Sequence, residues 1–200
     1  MKHTEVCNEC LDRSDLADLF LEVLHEGIVP WRWPINMEPE FKPIFGQFFA
    51  GEPLAESDYS ELDAIIQATG AKIIHNGRCR KPRFHRETDT VVLPVRSYFC
   101  DERTYNATRI HEVLHFLENP RRLGWIGSDH QSELVCEIGT GLLESHLRLP
   151  PDQDNTNIKK WLPTWNPNIR LNPDYLFDAV ESAVQAVNHL LELRRRKAAA

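Results

Sequence analysis

Apolar residues recur at helical spacing in several stretches of the chain and at strand spacing in one. Across 14–26, Leu16, Leu19, Phe20, Val23 and Leu24 fall on one face, Ser14 can cap the start and Gly27 ends the run. A second helix is predicted over 59–69, with Leu62, Ile65 and Ile66 inward and Gly70 as the stop. The period then shortens. Residues 72–75, 83–85 and 90–93 read as short strands, with a turn over 86–89. Helical spacing returns over about 106–118, 131–147, 155–162 and 173–196. In the last of these, Phe177, Val180, Val184, Val187 and Leu191 form one stripe, and Asn172-Pro173 is a good start. Helix, small sheet, then several helices predicts an α+β domain. The proline-dotted stretch 28–53 resists regular structure, yet Trp31, Trp33, Phe41, Phe45, Phe48 and Phe49 favour burial. It is expected to be an arm packed onto the domain, so the chain divides into 1–58 (helix and arm) and 59–200 (main domain).

Composition narrows the class without changing that picture. The chain has 200 residues, 42% hydrophobic and 26% charged, which excludes wholesale disorder. No apolar run reaches the roughly 18 residues of a membrane span, and no signal peptide is visible. A formal charge of −7 argues against a general nucleic-acid coat. The five cysteines are scattered: Cys7, Cys10, Cys79, Cys100 and Cys136. With no secretory signal they read as reduced thiols in a cytoplasm. Cys7 and Cys10 have metal-ligand or redox spacing, but no second CxxC accompanies them.

The chemistry is concentrated in Arg109-Ile-His111-Glu112-Val-Leu-His115, an HExxH pattern on a predicted helix. Histidines at i and i+4 lie one turn apart on one face, so both imidazoles can reach a single ion at about 2.0–2.1 Å. Glu112 projects beside that ion and can take a proton from an activated water. Ile110, Leu114 and Leu117 supply the buried side of the helix. A third ligand is expected from the following helix, where Glu133 and Glu137 share a face next to Leu134, Ile138 and Leu142. Glu133 is assigned to zinc, and Glu137, one turn on, is expected to hydrogen-bond a ligand imidazole. Gly139 and Gly141 leave room for close helix approach. His130 lies just before the ligand helix and is a lesser candidate for third ligand or transition-state donor. His25, His75, His85, His146 and His189 read as surface or satisfied core residues.

These motifs resemble a known family. Gly27-Ile-Val-Pro-Trp-Arg-Trp-Pro34 is similar to the G-x-x-P-W-x-x-P element that opens ArdC-type antirestriction proteins. Thr90-Val-Val-Leu-Pro94 to Phe99, followed by Tyr105 to His115, resembles their zincin-like metallopeptidase domain. So does Ser132-Glu-Leu-Val-Cys-Glu-Ile-Gly139, beside their E-E-L-V-A-E-I-G helix. The resemblance implies metal residues His111, His115 and Glu133, the general base Glu112, and a zincin-like fold. The expected form is a small antiparallel sheet with the HExxH helix, C-terminal helices and an N-terminal helical arm. It also implies an N-terminal single-stranded-DNA-binding domain and a mobile genetic element as source. The span between Pro34 and Tyr59 is too short for that whole domain, although Trp31, Arg32 and Trp33 stand where a remnant would lie. Where the family tends to have a His and a Tyr that could serve an oxyanion, this chain has Asp154 and Asn157.

The expected function is therefore zinc-dependent peptide-bond hydrolysis of a protein or peptide substrate, with Zn2+ as cofactor and Glu112 as base. A sheet edge, the 90–93 run or its neighbour, would align an extended peptide. The rival is an antirestriction protein that binds single-stranded DNA or blocks a restriction enzyme, its zinc structural or vestigial. A third reading keeps the zinc as a structural staple in an inactive scaffold. The basic run at 194–197 reads as favourable charge at a helix C-terminus.

Overall fold

The computed structural model describes residues 12–25, 58–125, 127–150 and 156–200. The aromatic arm with Trp31, Arg32 and Trp33, the thiols Cys7 and Cys10, and Gly27 and Asp154 lie outside the described residues.

Helix α1 (Arg13–His25) starts one residue earlier than the spacing suggests, because Asp12 rather than Ser14 caps it. Asp12 Oδ1 accepts from the backbone N–H groups of Ser14 and Asp15 at 2.8 and 3.0 Å. Its buried face is Ala17, Phe20 and Leu21. Helix α2 (Ser60–Thr69) buries Leu62, Ile65 and Ile66 as expected. It stops at Gly70, whose φ of 71° is the left-handed conformation a C-cap requires.

Three strands follow: β1 (Lys72–His75), β2 (Arg83–His85) and β3 (Thr90–Leu93). Their order is β1-β3-β2. β3 pairs parallel to β1 and antiparallel to β2, so the sheet is mixed rather than wholly antiparallel. The chain leaves β1, runs back along β2, turns at 86–89 and inserts β3 between them. The 90–93 run is therefore central and buried throughout, and the edges are β1 and β2. A 3-10 turn (Arg96–Tyr98) leads into helix α3 (Glu102–Leu117). Asp101 begins this helix four residues ahead of the expected start, accepting from the Thr104 backbone N–H at 2.8 Å.

Helices α4 (Asp129–His146), α5 (Thr156–Leu171) and α6 (Asp174–Ala198) complete the domain. α5 runs on past 162, through Pro163 and Pro167. The two prolines sit four residues apart on the exposed side, away from the face that packs. The opposite side anchors Ile158, Trp165 and Ile169 in the core. The buried stripe of α6 is Leu176, Ala179, Val180, Ala183, Ala186, Val187 and Leu190. Val184 and Leu191 only flank it, and Phe177 lies under the Arg13 guanidinium, while small alanines let α6 lie close to α4 and α2. The helices α3 and α4 also pack closely: a Cβ on Gly139 would meet Leu114 Cδ1 at 2.8 Å. No helix among the described residues is long and apolar enough to cross a membrane.

Candidate metal centre

α3 and α4 lie side by side with Ile110, Leu114 and Leu117 of one packed into a core shared with Leu134, Ile138 and Leu142 of the other. Once those faces are buried, helical geometry turns His111 and His115 toward Glu133 and Glu137. The Nε2 atoms of the two histidines are 3.2 Å apart. Glu133 Oε2 lies 3.4 Å from His111 Nε2, and its Oε1 lies 3.8 Å from His115 Nε2. Glu137 Oε1 is 3.2 Å from His111 Nδ1. Glu112 is 5% exposed, and its Oε2 has no hydrogen-bond partner among the described residues. The Phe84 backbone N–H on β2 reaches the same carboxylate.

Five further residues complete the cluster. Glu118 Oε2 and Ser132 Oγ lie 3.4 and 3.3 Å from His115 Nδ1. Arg86 donates to the other oxygen of Glu118 at 2.7 Å. The Asn157 amide, arriving from α5, donates to Glu137 Oε1 at 2.7 Å and to Glu133 Oε2 at 3.2 Å. Cys136 is fully buried behind the imidazoles, with one ligand atom each from Cys136, His111 and His115 all within 4.8 Å. Glu118 stands three residues beyond His115 on one helix, so its proximity could have been read from spacing. Cys136, three residues after Glu133, carried the same signal. The sequence marked Asn157 only as a missing oxyanion donor; its contacts depend on α5 docking across α4.

Two imidazole lone pairs facing each other at 3.2 Å repel unless a proton or a cation lies between them. Burial opposes charge on His111, but hydrogen bonds with Glu133 and Glu137 outweigh it and hold its pKa above the usual imidazole value. Burial would raise Glu133, yet the hydrogen bond and charge of His111 hold it below the usual carboxylate range. Glu112 is raised, by burial first. Burial, then the surrounding carboxylates, push the Cys136 thiol up. Bonds of about 2.0–2.1 Å at a tetrahedral centre put ligand atoms about 3.3 Å apart; the two Nε2 atoms meet that spacing at 3.2 Å, and Glu133 offers one oxygen to each ring, at 3.4 and 3.8 Å.

His130 does not join the cluster. Its Nε2 lies 2.9 Å from Ser128 Oγ and its ring stacks on Tyr175, while its carbonyl accepts from Trp165 Nε1 at 2.6 Å. Two clefts of about 310 and 530 Å3 meet at the site, sharing Pro82, Glu112 and Glu133 in their walls. The first also holds Phe84 and Trp161; the second holds Arg80, Lys81 and Lys160.

Comparison with known proteins gives this geometry a setting. A family model described as zincin-like metallopeptidase matches residues 60–182. The DNA primase TraC of Escherichia coli is 25% identical over 150 residues, which is 70% of this chain and 14% of that protein. This chain thus spans only about a seventh of that curated relative's length. Two structures of the antirestriction ArdC protein from plasmid R388 share the fold with a TM-score of 0.71, covering 92% of this chain and 98% of theirs. One is metal-free and 19% identical; the other is Mn(II)-bound and 20% identical.

Proposed function

This chain belongs to the zincin-like metallopeptidase family, and on that footing we propose that it hydrolyses peptide bonds. His111, His115 and Glu133 would hold a zinc ion, Glu112 would be the general base, and residues 59–200 would carry the activity in a cytoplasmic setting. One observation carries the reading: the unpartnered, buried Oε2 of Glu112 beside two converging imidazoles. Burying a carboxylate oxygen without a partner is costly, and such sites are retained where a reacting group completes them.

A bound zinc ion supplies Lewis acidity and brings the pKa of an attacking water toward about 7. Glu112 accepts the proton of that water and delivers it to the departing amine. Its raised pKa suits a group that must hold a proton between the two steps. Glu137 and Asn157 fix His111 and Glu133 from one side. Glu118, steadied by Arg86, and Ser132 fix His115 from the other. The substrate strand lies along the exposed edge of β2, with side chains in the clefts on either side of Glu112.

Substituting Glu112→Gln tests this. The zinc-loaded variant should keep one equivalent of metal and lose about 10²–10⁴-fold in kcat/KM, measured by mass spectrometry on an unstructured protein substrate such as casein. Unaltered cleavage would remove Glu112 from the mechanism.

A second reading has an observation of its own. Arg80, Lys81 and Lys160 line the larger cleft, and none of them pairs with a carboxylate among the described residues. A cationic cleft suits a nucleic-acid backbone, and the relatives bear the names antirestriction protein and DNA primase. Salt-sensitive capture of a single-stranded oligonucleotide, without peptide cleavage by the zinc-loaded chain, would favour it.

A further inference from the structure

The two clefts divide the centre between them. His111 lines the larger and His115 the smaller, while Glu112 and Glu133 stand in both. A peptide cut beside Glu112 therefore sends side chains from opposite sides of the scissile bond into differently built walls. The larger cleft, of about 530 Å3, lies within the size range of small-ligand pockets. Its walls come from the loop ahead of β2 and from α3, α4 and α5.

Hydrolysis at this centre employs each carboxylate of that cleft and none of its cations. Glu112, Glu133 and Glu137 belong to the centre, whereas Arg80, Lys81 and Lys160 pair with no carboxylate among the described residues. Arg80 lies over the Tyr98 ring at 5.0 Å, and Lys160 over the Trp161 ring at 4.3 Å. A cation against a ring face is steadied, yet its N–H groups stay available to another partner. The other donors are spent. Thr108 and Thr140 donate to carbonyls of their own helices at 2.8 and 2.7 Å, and Thr104 donates to Asp101. The Asn157 amide reaches Glu133 and Glu137. The three cations are thus the donors left for a bound molecule, and an anion suits them.

Their placement narrows the choice of anion. Lys81 lies two residues before β2, whose free edge would carry the substrate strand. Lys160 stands one turn beyond Asn157 on α5. A nucleic-acid backbone has a charge at every phosphate, and its phosphates would meet three carboxylates in the same cleft as the cations. A peptide brings a neutral backbone to the carboxylates and a single acidic side chain to the cations.

We propose that the larger cleft selects an Asp or Glu side chain beside the scissile bond, with Arg80, Lys81 and Lys160 setting that specificity. This selection presupposes the hydrolysis reading and names its substrate class, acidic peptides. The three cations are exposed, so the preference is modest. It amounts to about 10-fold in kcat/KM, the lower end of what hydrogen bonds to charged groups supply. It shrinks as ionic strength rises.

The test uses two pools of unstructured peptides, alike except that one carries Asp and Glu where the other carries Asn and Gln. The zinc-loaded full chain should cleave the acidic pool about 10-fold more efficiently, with the acid at one fixed place relative to the cut, read by mass spectrometry. Calorimetry on the metal-free chain should rank the affinities of the pools in the same order. Replacing Arg80, Lys81 and Lys160 by Gln should bring the pools to parity, and Lys160→Glu alone should already reduce the preference; circular dichroism checks that each variant folds. Equal cleavage of both pools by the parent, or a preference that survives the triple substitution, overturns the inference and leaves hydrolysis standing. Cleavage of neither pool overturns both. Salt-sensitive capture of a single-stranded oligonucleotide that the triple substitution abolishes, without an acidic preference, assigns the cations to nucleic acid instead.

Discussion

Glu137 shows how much one side chain can govern here. It is buried, accepts from the Asn157 amide at 2.7 Å and faces His111 Nδ1 at 3.2 Å, so it fixes which nitrogen of that ring points inward. Glu137→Gln keeps an oxygen in place but removes the charge. Zinc affinity should drop by roughly 10- to 100-fold, read by competition with a chromophoric chelator. An unchanged affinity would leave the orientation of His111 to other contacts. The convergence of His111 and His115 beside Glu112 was legible in the sequence because the five residues from 111 to 115 of one helix determine which face they share, whatever the remainder of the chain does. Glu133 needed only the next helix. Asn157 was opaque, since its amide reaches two carboxylates only after α5 crosses α4, and no local pattern encodes that crossing.

Among the elements, the ends carry more information than the middles. α3 holds the HExxH residues, and its start is set by Asp101, whose carboxylate accepts from both the N–H and the hydroxyl of Thr104. The Thr104 backbone hydrogen bond is the main reason its pKa lies below the ordinary aspartate value. The unfolded chain therefore binds the proton more tightly than the folded one. The cap's contribution is complete above the unfolded pKa of about 3.9 and disappears as the pH falls through the lower folded value. Asp101→Ala should destabilise the protein by about 1 kcal/mol at neutral pH. Urea titrations should show the gap between variant and parent closing below about pH 4. A gap that stays constant into acid would dismiss the carboxylate as the cause. The sequence hid this start because 102–105 carries little apolar periodicity, while capping depends on a side chain just outside the pattern. α5 was cut short on paper for the converse reason. A proline removes one hydrogen bond and crowds the carbonyl four residues back, but Pro163 and Pro167 both lie on the exposed side of α5 while Ile158, Trp165 and Ile169 bury the other.

At the scale of the molecule, the proposed metal centre would join α3 to α4 and make stability depend on the ion. Zinc at 100 times its dissociation constant adds about 2.7 kcal/mol. For a chain of this size that corresponds to about 2–4 °C per kcal/mol. Chelation should therefore lower the melting temperature by several degrees, and zinc should restore it in a concentration-dependent way. A melting temperature indifferent to zinc would place the ion outside the folded state. The layout that holds α4 in position also dictates an order of assembly. α6 packs on α4, buries Ala179, Ala183, Ala186 and Val187, and comes after both site helices in the chain. During translation the HExxH segment leaves the ribosome well before the helix that braces its neighbour. Until α6 has followed it, the nascent chain has its two histidines but no rigid second wall to complete their cage, so a cage fit for an ion waits for α6 to dock.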